Sequence, residues 1–218
     1  SALARLSLAR VGKVNVAMSK KRRRWMVWVG GGLVAVFAVW TIASYAVVWN
    51  LEEAPYRVVK TYDGFEVRAY PKLMLAETVA GAPGNASDST AFRRLARYIF
   101  GGNAESRDIA MTAPVLIDET SGRTKMAFVL PKDIQPDAAP APKQTEVKVY
   151  QRDELQVAAL RFSWLATRSR RERLGAKLTE AVQRAGLKPA GPPIYAAYNP
   201  PMTVPFARRN EMLLPLSE

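Results

Sequence analysis

The hydrophobic pattern divides the chain into one long apolar run and a longer region of strand-like and helix-like periodicity. Residues 25–51 contain no charged side chain, and about 20 apolar residues suffice for a helix to cross a bilayer. Aromatic side chains lie at both ends of the run, as they do at membrane interfaces. The pattern predicts a transmembrane helix over residues 25–51, between a basic tail over 1–24 and a separate domain over 52–218.

The charges that flank the run predict its orientation. Residues 20–24 are all basic, whereas Glu52 and Glu53 follow the run. The positive-inside rule places the tail in the cytoplasm and the domain outside, which in a bacterium is the periplasmic side of the inner membrane. A cleaved signal peptide, with an apolar region of roughly 7–15 residues, fits less well. A nuclear localisation signal and a buried core helix also fit less well. The glycines at 30–32 either permit helix–helix contact in the membrane or are simply tolerated.

After residue 55 the pattern becomes that of an α+β domain. An Asp63-Gly64 turn joins the first two of five predicted strands, at 56–62, 65–70, 73–79, 115–118 and 125–130. Between the third and fourth, apolar residues recur at helical spacing. This spacing predicts a helix that is capped by Asp88 or Ser89 and ends at the glycines 101 and 102.

The same order of elements returns after a Pro/Ala-rich linker at 131–144. Residues 147–150 resemble residues 67–70, and the strand at 155–162 resembles that at 73–80. A second helix, capped by Thr167 or Ser169 and ended by Gly186, precedes strands near 194–198 and 211–214. Two halves, about 55–130 and 145–216, therefore predict a distorted, barrel-like sheet of eight strands with two helices, from two βαββ-type repeats.

Composition narrows the possible functions. The net charge is +13, but residues 1–51 carry eight basic and no acidic side chains, which leaves +5 for the domain. A domain this mildly basic predicts no nucleic-acid partner. The chain has no cysteine and no histidine, which excludes disulfides, Cys/His zinc sites, Ser-His-Asp chemistry and a haem iron held by histidine or thiolate. No cluster of acid, base and nucleophile stands out, so we expect no metal site and no enzyme.

Three segments together resemble the SOUL haem-binding protein family. They are AFRRLARYIFGGNAESRDIAMTAPV at 91–115, MAFVLP at 126–131, and YNPPMTVPFARRNEMLLPL at 198–216. The resemblance covers roughly residues 55–216, and it implies a distorted eight-stranded barrel flanked by two helices. It also implies binding of haem or another tetrapyrrole on or near the first helix. Because the chain lacks histidine, such a ligand would depend on apolar burial and on basic partners for its propionates.

Candidate ligand-binding residues follow from that resemblance, each with a plainer explanation. Arg93, Arg94 and Arg97 would hold propionates, or form a solvated helix face. Phe92 and Tyr98 would contact the ring, or pack in the core. Met111 and Met202 are potential soft iron ligands, or fill gaps in the core. Glu211 would anchor a cationic ligand, as a buried carboxylate does in similar bacterial drug-sensing domains, or pair with a neighbouring arginine.

Two hypotheses remain at this point. One is a membrane-tethered module that binds haem, another tetrapyrrole or an apolar ligand, with membrane lipid around its anchor. The other is a structural subunit of a larger integral-membrane complex, respiratory or photosynthetic, in which the domain is a docking surface. The sequence does not decide between them.

Overall fold

The computed structural model describes residues 51–217 and, before them, positions 25, 28, 29, 31, 32, 35, 36 and 38–41. It divides the chain into two compact units, Ser1–Trp40 and Thr41–Glu218. The described positions of the first unit are helical. No helix among the described residues combines the length and apolarity needed to cross a bilayer. The tail at 1–24 and most of the predicted span at 25–51 lie outside the described residues, so both stay predictions.

The second unit is α+β, as predicted. Its strands are β1 (Glu52–Glu53), β2 (Arg57–Tyr62), β3 (Phe65–Tyr70), β4 (Leu73–Val79), β5 (Thr112–Ala113), β6 (Val115–Asp118), β7 (Lys125–Val129), β8 (Val147–Arg152), β9 (Leu155–Phe162), β10 (Ile194–Ala197) and β11 (Asn210–Pro215). Its helices are α1 (Asn85–Ile99) and α2 (Arg168–Arg184), with short 3-10 helices at Pro136–Ala138 and Pro205–Ala207.

Nine strands form one open sheet in the order β2-β3-β9-β11-β10-β6-β7-β4-β8, and all neighbours are antiparallel. Apart from the edge strand β2, the order is symmetric about the β10–β6 pair. The first strand of each half crosses to the other half: β3 pairs with β9, and β8 pairs with β4. Each half therefore completes the other, which makes the two repeats one folding unit.

The predicted count of eight strands is wrong for this sheet, which has nine. The additional strand is β2, which joins the edge at β3 through the Asp63-Gly64 turn, where Gly64 has φ +84°. The second half has no counterpart of β2, so counting strands by repeat omitted it. β1 and β5 form a separate parallel pair. The sheet is a curled half-barrel whose edges, β2 and β8, are not paired with each other.

The helices end where predicted but α1 begins earlier. Gly101 and Gly186 follow α1 and α2 with φ of +79° and +75°, a conformation that glycine adopts without strain. Thr167 occupies the cap position of α2. The predicted cap of α1 at Asp88 or Ser89 is wrong, since the helix begins at Asn85 and Asp88 lies in its first turn. There the Asp88 carboxylate faces the positive end of the helix dipole.

The sheet has an outer face, which carries both helices, and an inner face. On the outer face, α1 packs against β4 and β7, and α2 packs against β9 and β11. The inner face is lined by apolar side chains that include Tyr70 of β3, Leu75 of β4 and Val129 of β7. β3 and β4 lie near opposite ends of the strand order, yet their side chains share this cluster. The sheet therefore curls around its inner face.

Candidate functional site

Five of the predicted ligand-binding residues lie on α1, and all of them except Tyr98 are at least partly exposed. Phe92 is 38% exposed and contacts Phe128 edge to face at 5.4 Å between ring centroids. Arg93 and Arg97 are exposed. Arg94 donates to the Val79 carbonyl at 3.0 Å, so its guanidinium is directed towards the sheet edge. The exposed face of α1 thus offers one aromatic ring and two arginines that are not committed to the sheet.

The remaining predicted residues do not join that face. Tyr98 is 1% exposed, and its hydroxyl donates to the Pro140 carbonyl at 2.9 Å. Met111 is partly buried and packs against the core beneath α1. Met202 is 81% exposed, in the loop after β10. Glu211 is completely buried on the inner face, on the opposite side of the sheet from α1. The structure therefore distributes the eight candidates over four regions: the exposed face of α1, the core beneath it, the loop after β10 and the inner face.

Glu211 is the centre of a chain of charges that we call the Glu211 network: Glu66, Arg68, Glu211, Arg209 and Glu53. Its Oε2 accepts from Arg68 Nη1 at 2.7 Å, and its Oε1 accepts from Arg209 Nε at 3.0 Å. Arg68 also pairs with Glu66, and Arg209 with Glu53, at 2.8 Å each. Acidic and basic groups alternate, and the two terminal carboxylates are the exposed ones. The arginine pairing considered for Glu211 is thus present.

Aromatic side chains surround this network. The Tyr198 hydroxyl donates to Glu211 Oε2 at 3.0 Å, and its ring lies 3.8 Å from the Arg209 guanidinium carbon. The Arg68 guanidinium lies 4.3 Å from the Tyr56 ring centroid. Burial raises the pKa of Tyr198 well above its usual value, and the Glu211 charge raises it further. The phenol is therefore a neutral donor, and both guanidiniums are desolvated cations.

Arg68 and Arg209 complete the network. Arg209 is a neighbouring arginine of the kind considered as a partner for Glu211, whereas Arg68 was not a candidate from the sequence. Burial lowers their pKa, but Glu211 and the other polar partners together more than compensate, so the pKa of each is raised. One signal was available for Arg68. In FEVRAY, residues 66, 68 and 70 alternate with apolar positions, which places Arg68 on one face of a strand. The pattern does not indicate which carboxylate it meets.

The inner face contains two small cavities. One, of about 190 Å³, lies between residues 52–55 and the end of β7. The other, of about 20 Å³, is lined by Ala54, Tyr70, Arg152 and aliphatic side chains. Both are smaller than the roughly 300–1,000 Å³ typical of pockets for organic ligands. Neither of these two cavities has the volume to enclose a tetrapyrrole.

The outer face carries a larger groove, which we call the α2 groove. It has a volume of about 650 Å³ and runs between α2 and strands β6 and β10. Apolar side chains form its floor, and charged side chains of both signs stand at its rim. The lining comprises Ile117, Glu119, Thr120, Arg168, Arg171, Glu172, Gly175, Ala176, Thr179, Glu180, Gln183, Pro193, Tyr195 and Met212.

One ion pair at the rim of the α2 groove is almost buried. Arg171 Nη2 lies 3.0 Å from Glu119 Oε2, with side-chain exposures of 12% and 15%. Arg171 Nε and Glu119 Oε1 are buried without a hydrogen bond. Burial raises the pKa of Glu119 above its usual 4.5, although Arg171 opposes the change. The arginine also covers the Tyr195 ring at 4.9 Å. Arg171 Nε and Glu119 Oε1 therefore lie at the groove as a buried donor and a buried acceptor that the described residues leave unpaired.

Within the part of the chain that the structure describes, no three acidic, histidine or cysteine side chains are grouped so that they could hold a metal ion.

Comparison with known proteins assigns the family. Residues 51–215 match the family model described as SOUL heme-binding protein. A curated relative, "Heme-binding protein 1" of Xenopus laevis, is 27% identical over 164 residues, which cover 68% of this chain and 81% of that protein.

Solved structures with a similar fold include the EcmrR C-terminal domain, with a TM-score of 0.53 and 9% identity over 75% of this chain and 98% of that one. They also include an uncharacterized conserved protein from Listeria innocua, with a TM-score of 0.54 and 11% identity over 70% and 92% of the two chains. At such identities the likeness concerns the fold alone. The family match, by contrast, covers the whole sheet and both helices, so the chain belongs to the SOUL heme-binding protein family.

Proposed function

We propose that this protein binds haem or another planar, largely apolar tetrapyrrole, without a histidine ligand. Family membership supports the ligand class. The observation that carries the proposal is the α2 groove, whose volume of about 650 Å³ falls within the range of organic-ligand pockets.

The lining of the α2 groove suits a ligand that is held by burial. Ile117, Tyr195 and Met212 supply an apolar floor, and burial of apolar surface contributes about 25 cal/mol per Å². Arg168 and Arg171 at the rim are suitable partners for propionates. The floor contains the Met212 thioether and the Tyr195 phenol, and this phenol already donates to Asn210 Oδ1 at 2.7 Å. Iron ligation is therefore secondary to burial in this proposal.

The exposed face of α1 is the other proposed location. Phe92 would stack on the ring there, while Arg93 and Arg97 bind its carboxylates. Arg94, Tyr98, Met111, Met202 and Glu211 complete the candidates that the resemblance implied. Of these, Tyr98 and Glu211 already use their polar side-chain atoms in hydrogen bonds within the protein. The exposed α1 residues line none of the three cavities described above, so this location offers a bound ring less buried area than the α2 groove.

A haem titration of the full chain tests the proposal. We expect a Soret shift with saturation, and Ala176→Trp, which fills the α2 groove from an exposed position, should weaken binding by about tenfold or more through steric exclusion. Phe92→Ala is the matched variant on α1 and should change affinity little. The reverse pattern would place the ligand on α1. A flat titration of the folded wild type would reject haem binding altogether.

Membrane attachment is a further part of the proposal. The uncharged residues 25–51, flanked by the basic run at 20–24 and by Glu52 and Glu53, support a single span with the domain on the periplasmic side. Alkaline extraction of membranes should leave the protein in the pellet, and external protease should digest the domain in spheroplasts. Release by alkali would reject the anchor.

The alternative is a structural subunit of a respiratory or photosynthetic membrane complex. It would make the domain a docking surface, and it predicts co-purification with an integral-membrane partner in mild detergent. A monodisperse monomer that carries a tetrapyrrole would exclude it.

A further inference from the structure

The inner face is covered by the chain's own residues 52–56, which we call the 52–56 strap. Its backbone pairs with Thr112 and Ala113, and the Ala54 amide donates to the Ala113 carbonyl at 2.8 Å. Glu53 accepts from Arg209 Nη1 at 2.8 and 3.0 Å. Tyr56 packs on Tyr70 at 5.4 Å between ring centroids. The strap therefore places a carboxylate, a small apolar side chain and an aromatic ring on the inner face.

The strap leaves polar atoms beneath it unsatisfied. Arg152 Nε is buried without a hydrogen-bond partner, and the Tyr70 hydroxyl, which lies beside Arg68 and Tyr198, has no hydrogen bond of normal geometry. Tyr70 and Arg152 line the cavity of about 20 Å³ that Ala54 closes. A buried donor without a partner destabilises the folded state, because it has lost its hydrogen bond to water. The methyl group of Ala54 cannot accept a hydrogen bond. The strap therefore fills this position without pairing the polar atoms beneath it.

The charge of Arg152 is also uncompensated. Within residues 51–217 it forms no ion pair, in contrast to Arg68 and Arg209 on the same face. Burial lowers the pKa of Arg152, consistent with a guanidinium that lacks a carboxylate. The neighbouring wall is aliphatic and includes Leu155, Val157 and Ile194. A cation beside an aliphatic wall matches a molecule with a carboxylate at one end and an apolar body.

We propose that the inner face is a second ligand site, for a monocarboxylic acid with an apolar body, and that the ligand displaces the 52–56 strap. The carboxylate accepts from Arg152 Nε and from the Tyr70 hydroxyl, while the apolar body replaces Ala54 and Tyr56. The two inner cavities share Ala54 and Val129, so withdrawal of the strap joins them into a longer cleft. This site lies on the opposite face from the α2 groove and does not depend on the proposed tetrapyrrole function.

Competition with the strap determines the affinity. If the strap covers the site most of the time, the measured affinity is reduced by the fraction of molecules in which the site is open. A double variant, Glu53→Gln with Tyr56→Ala, removes the ion pair to Arg209 and the ring packing but leaves Arg152 and Tyr70 intact. It should bind the acid more tightly than the wild type, by about tenfold if one molecule in ten is open before the change.

The experiment is a calorimetric titration of the full chain in lipid nanodiscs, with empty nanodiscs as the blank. The probes are 2-naphthoate and octanoate, which distinguish an aromatic from an acyl body, and 2-naphthamide and octanol as uncharged analogues. Arg152→Gln in the strap-release background should weaken binding of the preferred acid by about tenfold or more, since the charge-assisted bond to the carboxylate is lost. Arg123→Gln, in the exposed turn before β7, is the matched control and should have no effect.

Three results would overturn the proposal. They are equal affinity in the Arg152→Gln variant, equal affinity for the uncharged analogues, and no gain of affinity in a strap-release variant with native circular dichroism. None of these results depends on haem. Ala176→Trp should leave acid binding unchanged, so the two sites fail or succeed separately.

Discussion

Replacement of Glu211 by glutamine tests whether the Glu211 network stabilises the fold. Glu211 is completely buried and accepts three hydrogen bonds, from Arg68, Arg209 and Tyr198, at 2.7 to 3.0 Å. Glutamine has one acceptor oxygen, and its amide group would face donors. The side chain of Arg68 is only 4% exposed, so water cannot replace the lost carboxylate. Removal of one partner from a buried ion pair costs about 3–5 kcal/mol.

Thermal and urea unfolding of the full chain in a nonionic detergent, followed by circular dichroism, measure this loss. For a domain of this size, 3–5 kcal/mol corresponds to a decrease in Tm of roughly 6–20 °C. Glu66→Gln is the matched control, because Glu66 pairs with the same arginine but is 37% exposed. An exposed pair contributes at most about 1 kcal/mol.

The reasoning would be refuted by a Glu211→Gln loss below about 1 kcal/mol, or by equal losses in the two variants. A triple variant gives a second check. Arg68→Met, Arg209→Met and Glu211→Leu together remove every buried charge of the network, and should recover much of the stability because no unpaired ion remains. If the triple variant is as unstable as Glu211→Gln, the loss is one of packing.

Three further predictions concern other positions. Asn103→Ala should lower the unfolding free energy by about 2–4 kcal/mol in urea denaturation, because this fully buried amide donates to two backbone carbonyls and accepts from one backbone amide after α1. Gly102→Ala should cost about 1–3 kcal/mol in Tm measurements, since a Cβ there would lie 2.3 Å from the Arg97 carbonyl oxygen; an unchanged Tm would contradict that contact. Glu119→Gln should gain stability relative to the wild type as pH rises above 4.5, because a carboxyl with a raised pKa favours folding while protonated and loses that contribution on ionisation. A stability difference that stays constant from acid to neutral pH would show that Arg171 compensates the burial of Glu119.

Local periodicity predicted most of the elements. The strands Phe65–Tyr70, Leu73–Val79 and Leu155–Phe162 have the bounds expected from alternation and turn residues. The glycines after both helices fulfil their predicted role because a positive φ is a local requirement that glycine meets without strain. β2 was predicted as a strand, but its place in the sheet was not. Its residues are almost all exposed, so they carry no signal of the strand they pair with.

The sequence predicted less of the candidate site than of the strands and helices. The motif that contains Glu211 was recognised, and an arginine partner was anticipated beside it. Arg68, 143 residues away, was not, because nothing local indicates that β3 pairs with β9 and so lies two strands from β11 in the second half. Likewise, only the tertiary structure shows that Arg152 lies on the inner face beneath the strap without an ion-pair partner among the described residues.

The sequence by itself determined the fold class, the repeat, the family and the absence of histidine and cysteine ligands. These depend on residue types and on spacings of two to four residues, which one strand or helix already contains. The tertiary structure alone decided which charges meet, which face of the sheet is open and what covers the other. Those outcomes depend on strand exchange between the halves and on desolvation of groups that lie far apart along the chain.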